Sequence, residues 1–193
     1  MLRPTLITPP ADLPVALEEF KAQAVIDYDD DDTLANTLLT AAAAHLDGYT
    51  GILGRCMVSQ GWAQGYQDWA WRLRLPFPDV SEVSVSYRDA DGAVQSVDSS
   101  LFEVVEGAGG PWVCFKDAFT DPSLDDDRAA PVTVSFTAGY GAASEVPAPL
   151  KVAVMMLAAH WYASREAVST GANPATVPLG FDAIIAPYRR IGV

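Results

Sequence analysis

Residues 69–92, WAWRLRLPFPDVSEVSVSYRDADG, decide the fold class of this chain. Apolar and polar residues alternate along 69–75 and again along 80–89, and this period of two is typical of half-buried antiparallel strands. Asp91-Gly92 follows the second strand, and this dipeptide favours the tight turn of a β-hairpin. The alternation predicts that Ala70, Arg72 and Arg74 face water and that the inward-facing side chains are Trp69, Trp71, Leu73 and Leu75.

The same alternation continues on both sides of this stretch. Strands are predicted in CMVSQGW, LFEVVE, PWVCF and PVTVSFTAGY, which are residues 56–62, 101–106, 111–115 and 131–140. The polar stretch TDPSLDDDRAA, residues 120–130, separates the last two and is predicted to be a loop. We therefore expect about five to seven short strands that form a small antiparallel sheet or barrel.

Helical periodicity precedes the strands. In VALEEFKAQAVI, residues 15–26, apolar side chains recur at helical spacing, and Pro14 is expected in the first turn, where a missing N–H is tolerated. The acidic segment DYDDDD, residues 27–32, leads into a second helix, whose N-terminal dipole favours negative charge. Gly48 and Gly51 are predicted to end that helix. The residues predicted to face the core are Val15, Leu17, Phe20, Ala24 and Val25 in the first helix and Leu34, Leu38, Ala41, Ala42, His45 and Leu46 in the second.

Two further helices are predicted after the strands. Pro147 and Pro149 open the segment that contains LKVAVMMLAAHWYASREA, residues 150–167, whose apolar residues occupy nearly every face. Such a helix is buried on all sides or packs against a partner chain. A short helix, FDAIIAPYRR, is predicted to end or kink at Pro187, near Ala186.

These patterns predict an α+β fold, in which a helical body of two N-terminal helices, a long C-terminal helix and a short last helix carries an inserted antiparallel β subdomain. The predicted parts are 1–54 (N-terminal helices), 55–141 (β subdomain), 142–177 (long helix and linker) and 178–193 (last helix and C-terminal segment).

The charge of the chain argues against tight binding to nucleic acid. The 193 residues include 25 acidic side chains against 12 Lys and Arg, a net charge of −13. Proteins that grip DNA non-specifically need clustered cations, so DNA that passes this chain is expected to meet a repulsive lining. Residues 151–193 hold four basic and two acidic side chains, which leaves −15 for residues 1–150. The basic end suits docking onto an acidic neighbour, although an ordinary solvated tail explains it equally well.

Cysteine content and hydropathy indicate a soluble protein from a reducing compartment. Cys56 and Cys114 show no metal-ligand spacing and are too few for a disulfide scaffold. No apolar run approaches the roughly 20 residues that span a bilayer, and the proline-rich N-terminus lacks the apolar core of a signal peptide. We expect no membrane partner.

The acidic segment resembles the start of a calcium loop but fails its two specific requirements. Asp27, Asp29 and Asp31 have the correct alternation, yet Asp32 replaces the turn glycine and Leu38 replaces the bidentate glutamate. An acidic linker at a helix N-terminus is the better interpretation, and a calcium-binding module is kept as an alternative.

The two histidines suggest no catalytic site by themselves. His45 and His160 each lie in an apolar helical stretch and belong to no paired ligand spacing. The aromatic and basic residues of WAWRLRL suit a strand better than stacking on single-stranded nucleic acid. We therefore predict no enzyme activity, no catalytic, cofactor-binding or metal-binding residue, and no cofactor. A small metal-binding or hydrolytic enzyme that uses both histidines is the alternative.

The C-terminal third carries a family pattern in three segments: AGYG (138–141), VPAPLKVAVMMLAAHWYASREA (146–167) and VPLGFDAIIAPYRR (177–190). The pattern resembles the head-tail connector, or adaptor, family of long-tailed bacteriophages and gene transfer agents, in the subfamily with a β-insertion. TGILGR and the strand pair of 71–92 are similar as well, so the resemblance covers nearly the whole chain. The matching residues are Gly139, Tyr140, Gly141, Pro147, Pro149, Leu150, Lys151, His160, Trp161, Tyr162, Arg165, Glu166, Pro178, Gly180, Pro187, Tyr188 and Arg189.

The resemblance implies a structural protein of the neck of a virion or phage-like particle, assembled in the bacterial cytoplasm. Members form rings, typically dodecameric, that bind the portal protein, receive the stopper or tail-completion protein, and extend a channel through which double-stranded DNA passes without specific binding. The alternative within the same neck is a stopper or tail-completion protein, which the helical zones at both ends disfavour.

The resemblance also implies two sets of interface residues. The C-terminal segment 178–193 would dock on the portal, with the candidates Phe181, Ile184, Ile185, Tyr188, Arg189 and Arg190. Packing between ring subunits would use the candidates His160, Trp161, Tyr162, Arg165 and Glu166.

Overall fold

The computed structural model describes residues 2–107, 110–164 and 179–190. In these residues the elements follow the order strand, two helices, seven strands, two helices. The predicted α+β class is confirmed. The chain forms two compact units, a β unit of Ser59–Gly139 with the N-terminal residues up to Ala11, and a helical unit of Asp12–Val58 with the described residues from Tyr140 onward.

The helical unit contains α1 (Leu17–Ala24), α2 (Asp32–Leu46), α3 (Ala148–Ala163) and α4 (Leu179–Ile185), followed by a 3-10 turn at Ala186–Tyr188. Their buried residues form one apolar cluster, in which removal of apolar surface from water is the main stabilising term. Helix α4 ends at Ile185, one residue before Ala186, which agrees with the break predicted at Pro187.

The boundaries of α1 differ from the prediction at both ends. Pro14 is not in the first turn, because the helix begins at Leu17 and the carboxylate of Glu19 accepts a hydrogen bond from the amide of the capping residue Ala16. Val25 is exposed rather than in the core, because it ends the helix with a φ of 57°, in the left-handed region. Val15 and Phe20 are buried as predicted.

The buried face of α2 is rotated from the predicted one. Ala41 and His45 are exposed, Leu34 and Leu38 are half-buried, and only Ala42 and Leu46 of the predicted set are fully buried. The helix is alanine-rich on several faces, so periodicity alone does not distinguish between two adjacent stripes. The residues that α2 buries are Ala35, Leu39, Ala42, Ala43 and Leu46.

The predicted glycine stop after α2 is confirmed. Gly48 has a φ of 74°, a backbone angle that residues other than glycine rarely adopt. At Gly51 a Cβ atom would lie 2.2 Å from the carbonyl oxygen of Asp47, so the backbone can pass this close to the end of α2 only because residue 51 is a glycine.

The β unit contains two antiparallel sheets. The larger has the order β1-β2-β8-β4-β5 and the smaller β3-β7-β6. The strands are β1 (Thr5–Thr8), β2 (Gln60–Tyr66), β3 (Arg72–Arg74), β4 (Val80–Arg88), β5 (Val94–Ser96), β6 (Phe102–Val105), β7 (Trp112–Phe115) and β8 (Val132–Ala138).

The predicted number of strands in the β segment is confirmed, whereas their arrangement in a single sheet or barrel is not. The hairpin at Asp91-Gly92 is confirmed, since β4 and β5 pair around it and Gly92 has a φ of 78°. Seven strands, β2–β8, lie in the predicted segment, as expected, but they belong to two sheets rather than to one sheet or barrel, and the strand predicted from Cys56 begins only at Gln60. Strand β1 was not predicted, because its four side chains are all exposed and carry no alternation.

The strand predicted for 69–75 is reduced to Arg72–Arg74, and one of its tryptophans faces outward. Leu73 and Leu75 are buried as predicted, whereas Trp71 is 57% exposed. It lies before the strand begins, so the alternation does not extend to it. Trp69 is half-buried, donates its indole N–H to the carbonyl of Pro122 at 2.9 Å, and contacts Phe119 edge-on.

Candidate functional site

The last turn of α3 is joined to the acidic linker between α1 and α2 by side-chain hydrogen bonds. The Tyr162 hydroxyl donates to Oδ2 of Asp31 at 2.6 Å, and the Tyr28 hydroxyl lies 2.8 Å from that of Tyr162. The bond to the Asp31 carboxylate raises the pKa of Tyr162, and the contact with Tyr28 raises it further. Tyr162, a predicted subunit-packing residue, is therefore engaged within its own helical unit.

A lysine of α1 pairs with the acidic linker. The Lys21 ammonium donates to Oδ1 of Asp29 at 2.6 Å and to Oδ1 of Asp32 at 2.7 Å. These bonds raise the pKa of Lys21, and the bond from Lys21 lowers the pKa of Asp29. Two aspartates of the linker are thus paired with Lys21, and a third, Asp31, accepts the hydrogen bond from Tyr162. The described residues contain no group of three His, Cys, Asp or Glu side chains able to hold a metal ion.

His45 and Trp161 meet on the surface of the helical unit. Their rings are 6.1 Å apart between centroids and nearly perpendicular, at 71°. His160 and Trp161 are both half-buried on α3. The predicted packing candidates Arg165 and Glu166 lie outside the described residues, as does Pro178 of the family pattern.

The predicted docking helix α4 is anchored in its own subunit. Phe181 is 4% exposed and Ile185 is 2% exposed, both within the core cluster of the helical unit. Ile184 and Tyr188 are half-buried against the same cluster. The apolar residues at i, i+3, i+4 and i+7, which the resemblance assigned to docking, thus form the face that α4 packs against α3 and the core. An apolar helical stripe must be buried, and here its own subunit buries it.

Beyond α4, backbone hydrogen bonds attach the chain to the segment that follows α2, and the side chain of Arg189 is exposed to solvent. The amide of Arg190 donates to the carbonyl of Leu53 at 2.8 Å, and Arg55 donates through Nη1 to the carbonyl of Tyr188 at 3.4 Å. The Arg189 side chain is exposed. Of the six predicted docking residues, Arg189 is therefore the one whose side chain is most accessible.

Arg55 and Tyr140 belong to this surface, although sequence reasoning assigned them no site role. The Arg55 guanidinium lies over the Tyr140 ring, 4.8 Å from its centroid, and the amide of Tyr140 donates to the carbonyl of Met57 at 3.0 Å. Both residues occur in the family pattern, in TGILGR and AGYG, and this was the only signal that could have identified them.

Two acidic segments of the chain lie at the surface of their units. Asp27, Asp29 and Asp30 are exposed in the linker of the helical unit, and Asp126 and Asp127 are exposed in the loop that precedes β8. Among the residues described, no helix has both the length and the apolarity needed to cross a membrane.

Comparisons with known proteins identify the fold. No protein-family profile matches the sequence, and no curated protein matches it significantly. A chain in the neck of an empty gene transfer agent particle, computed with C6 symmetry, matches with a TM-score of 0.78 and 24% identity, over 100% of this chain and 97% of that one. A chain in the virion of the native particle matches with the same values. A chain in the neck of the native particle, computed with C12 symmetry, matches with a TM-score of 0.76, 23% identity and the same coverage. The protein shares the fold of these chains over its whole length.

Proposed function

We propose that the protein is a structural subunit of the neck of a phage or gene-transfer-agent-like particle. The observation that carries this proposal is the match in fold over 100% of the chain and 97% of chains that belong to neck structures of gene transfer agent particles. A match over both full lengths concerns the whole architecture rather than one recurrent motif. The sequence pattern of residues 138–190 points to the same class of protein independently of the coordinates.

Within the neck, we propose the adaptor position, between the portal protein and the stopper or tail-completion protein. The order of helices, β-insertion and helices supports it, as does the resemblance of residues 138–190 to the adaptor family. The alternative is a stopper or tail-completion protein of the same neck. A purely structural role, without catalysis, agrees with the nature of the matched particle components.

A homo-oligomeric ring is the proposed assembly. The matched neck structures were computed with C6 and C12 symmetry, which supports several copies around one axis. The half-buried side chains of α3, including His160 and Trp161, are the proposed contacts between neighbours. The net charge of −13 suits a ring through which duplex DNA slides without being gripped.

For portal docking, the proposed contact is the basic end of the chain, with Arg189 as its exposed cation. Phe181 and Ile185 are buried in the helical core and would act as internal anchors that hold this end in position. Opposite charges steer association and determine register, so a single exposed arginine at the docking end is a suitable target for mutation.

The decisive experiment images the purified protein together with the portal protein of the same particle. The proposal predicts a ring of this protein in direct contact with the portal. A ring that contacts only the tail side would support the stopper alternative, and a protein that forms no complex with neck components would contradict the proposed function.

Charge reversal at the docking end tests the portal contact. Arg189→Glu should leave the protein folded and weaken its binding to the portal protein, because the residue is exposed. Arg128→Glu, which changes an arginine of the β unit whose side chain is 58% exposed, is the matched control and should bind normally. Equal portal binding by the two variants would contradict the assignment of Arg189.

A further inference from the structure

The outer face of the three-stranded sheet presents a cleft with aromatic walls and an exposed edge. Residues that pair across neighbouring strands share one face, so the register of β3, β7 and β6 determines which side chains lie together. The two rows across the sheet are Arg72, Cys114 and Glu103, then Arg74, Trp112 and Val105. All of these residues except Arg74 border a cleft of about 510 Å³, which Trp71, Phe115, Lys116 and Asp117 also line.

Strand β6 lies at the end of this sheet and offers its outer edge. Val104 is 38% exposed and Val105 is 43% exposed, and the exposed carboxylates Glu103 and Glu106 flank them. In the part of the chain that the structure describes, neither carboxylate has an ion-pair partner. An edge strand presents backbone N–H and C=O groups that can pair with another chain.

We propose that β6 docks an extended segment of another protein with the residue order basic, apolar, apolar, basic. An added strand would place a cation opposite each of Glu103 and Glu106 and an apolar side chain opposite each of Val104 and Val105. The apolar side chain opposite Val105 would lie at the rim of the cleft, on the side of Val105 and Trp112. The order is the same in both directions, so it fits a parallel or an antiparallel strand.

Charge argues against a second copy of this chain at the same edge. In an antiparallel pair of two β6 strands, Glu103 would lie opposite Glu106, and in a parallel pair each glutamate would lie opposite its own counterpart. Like charges directly opposite each other destabilise strand pairing. The β unit holds 13 acidic and six basic side chains, which would steer a cationic partner toward it.

Two blocked peptides provide the probe: Ser-Lys-Val-Val-Lys-Ser and Ser-Glu-Val-Val-Glu-Ser. Each is titrated into the full-length protein, and tryptophan fluorescence and amide hydrogen exchange at residues 102–106 are followed. The lysine peptide should protect these amides and bind at least about tenfold more tightly than the glutamate peptide, because two cross-strand charge pairs change sign. Equal binding of the two peptides, or protection elsewhere in the chain, would overturn the proposal.

Charge reversal in the protein completes the test. The double variant Glu103→Lys, Glu106→Lys should prefer the glutamate peptide, while the matched control Asp126→Lys, Asp127→Lys, with the same change in net charge, should keep the wild-type preference. All four residues are exposed, so each variant should fold, which circular dichroism verifies. A double variant that still prefers the lysine peptide would contradict the inference. The experiment uses the isolated protein, and its outcome is independent of the location proposed for it in a particle.

Discussion

Helix α4 should depend on two buried side chains for its attachment to the helical unit, and Phe181→Ala tests this. The helix has seven residues, fewer than the roughly 12 to 15 that an isolated helix needs to be marginally stable in water. Phe181 and Ile185 are 4% and 2% exposed, so they supply the apolar burial that holds it.

The size of the effect follows from that burial. Replacement of a buried phenylalanine by alanine costs about 3–5 kcal/mol, since both the transfer free energy and the remaining cavity contribute. At about 1.4 kcal/mol for each factor of ten, even the lower figure shifts the equilibrium between docked and undocked α4 by about 100-fold. The loss should fall mainly on α4, because the other helices retain their own contacts in the core.

Amide hydrogen exchange measures this equilibrium directly. Two reporters are the amide of Arg189, bonded to the carbonyl of Ile185 at 3.0 Å, and the amide of Arg190, bonded to that of Leu53 at 2.8 Å. Their protection should fall by about 100-fold in Phe181→Ala. The exposed residue of the same helix, Ala183, provides the control Ala183→Ser, which should change protection only slightly. Equal protection in both variants would refute the anchoring role, and a matching loss of protection in strand β8 would show that α4 is not an independent opening unit.

Three further outcomes are expected. Gly51→Ala should lower the free energy of unfolding in urea by about 2–3 kcal/mol, because the added Cβ would lie 2.2 Å from the Asp47 carbonyl oxygen. In the control Gly180→Ala the added Cβ has no neighbour within 4 Å, so this variant should not be destabilised. Similar urea midpoints for the two variants would contradict this prediction. Tyr162→Phe should lower the melting temperature and speed amide exchange at the end of α3, because it removes the hydrogen bond to Asp31. The control Tyr87→Phe, in the β unit, should not affect that exchange. Unchanged exchange at Ala163 and Ser164 in Tyr162→Phe would disprove the role of the bond. Because Lys21 lowers the pKa of Asp29, the stabilisation from this pair is present above the unfolded pKa near 3.8 and is lost as the pH falls through the folded pKa. The melting temperatures of wild type and Asp29→Asn should therefore differ at pH 7 and converge in acid. A constant difference down to pH 2 would exclude the mechanism.

The interface candidates show where prediction from sequence stopped. The apolar spacing of Phe181, Ile184, Ile185 and Tyr188 correctly indicated a helical stripe that must be covered. Periodicity cannot say whether the subunit itself or a partner covers it, and the structure buries Phe181 and Ile185 internally. Tyr162 was singled out by the family pattern, but its bond to Asp31 spans 131 residues and has no local signature.

The sequence by itself determined the succession of two helices, a run of strands and two further helices, the α+β class, the hairpin at Asp91-Gly92 and the end of α2 before Gly48, because each depends on residues close together along the chain. Only the tertiary structure decided the buried face of the alanine-rich helix α2, the addition of β1 to the larger sheet, the outward position of Trp71 and the pairing of Lys21 with the acidic linker. These features depend on contacts between distant residues, where several arrangements satisfy the same local pattern and packing of the whole unit selects one.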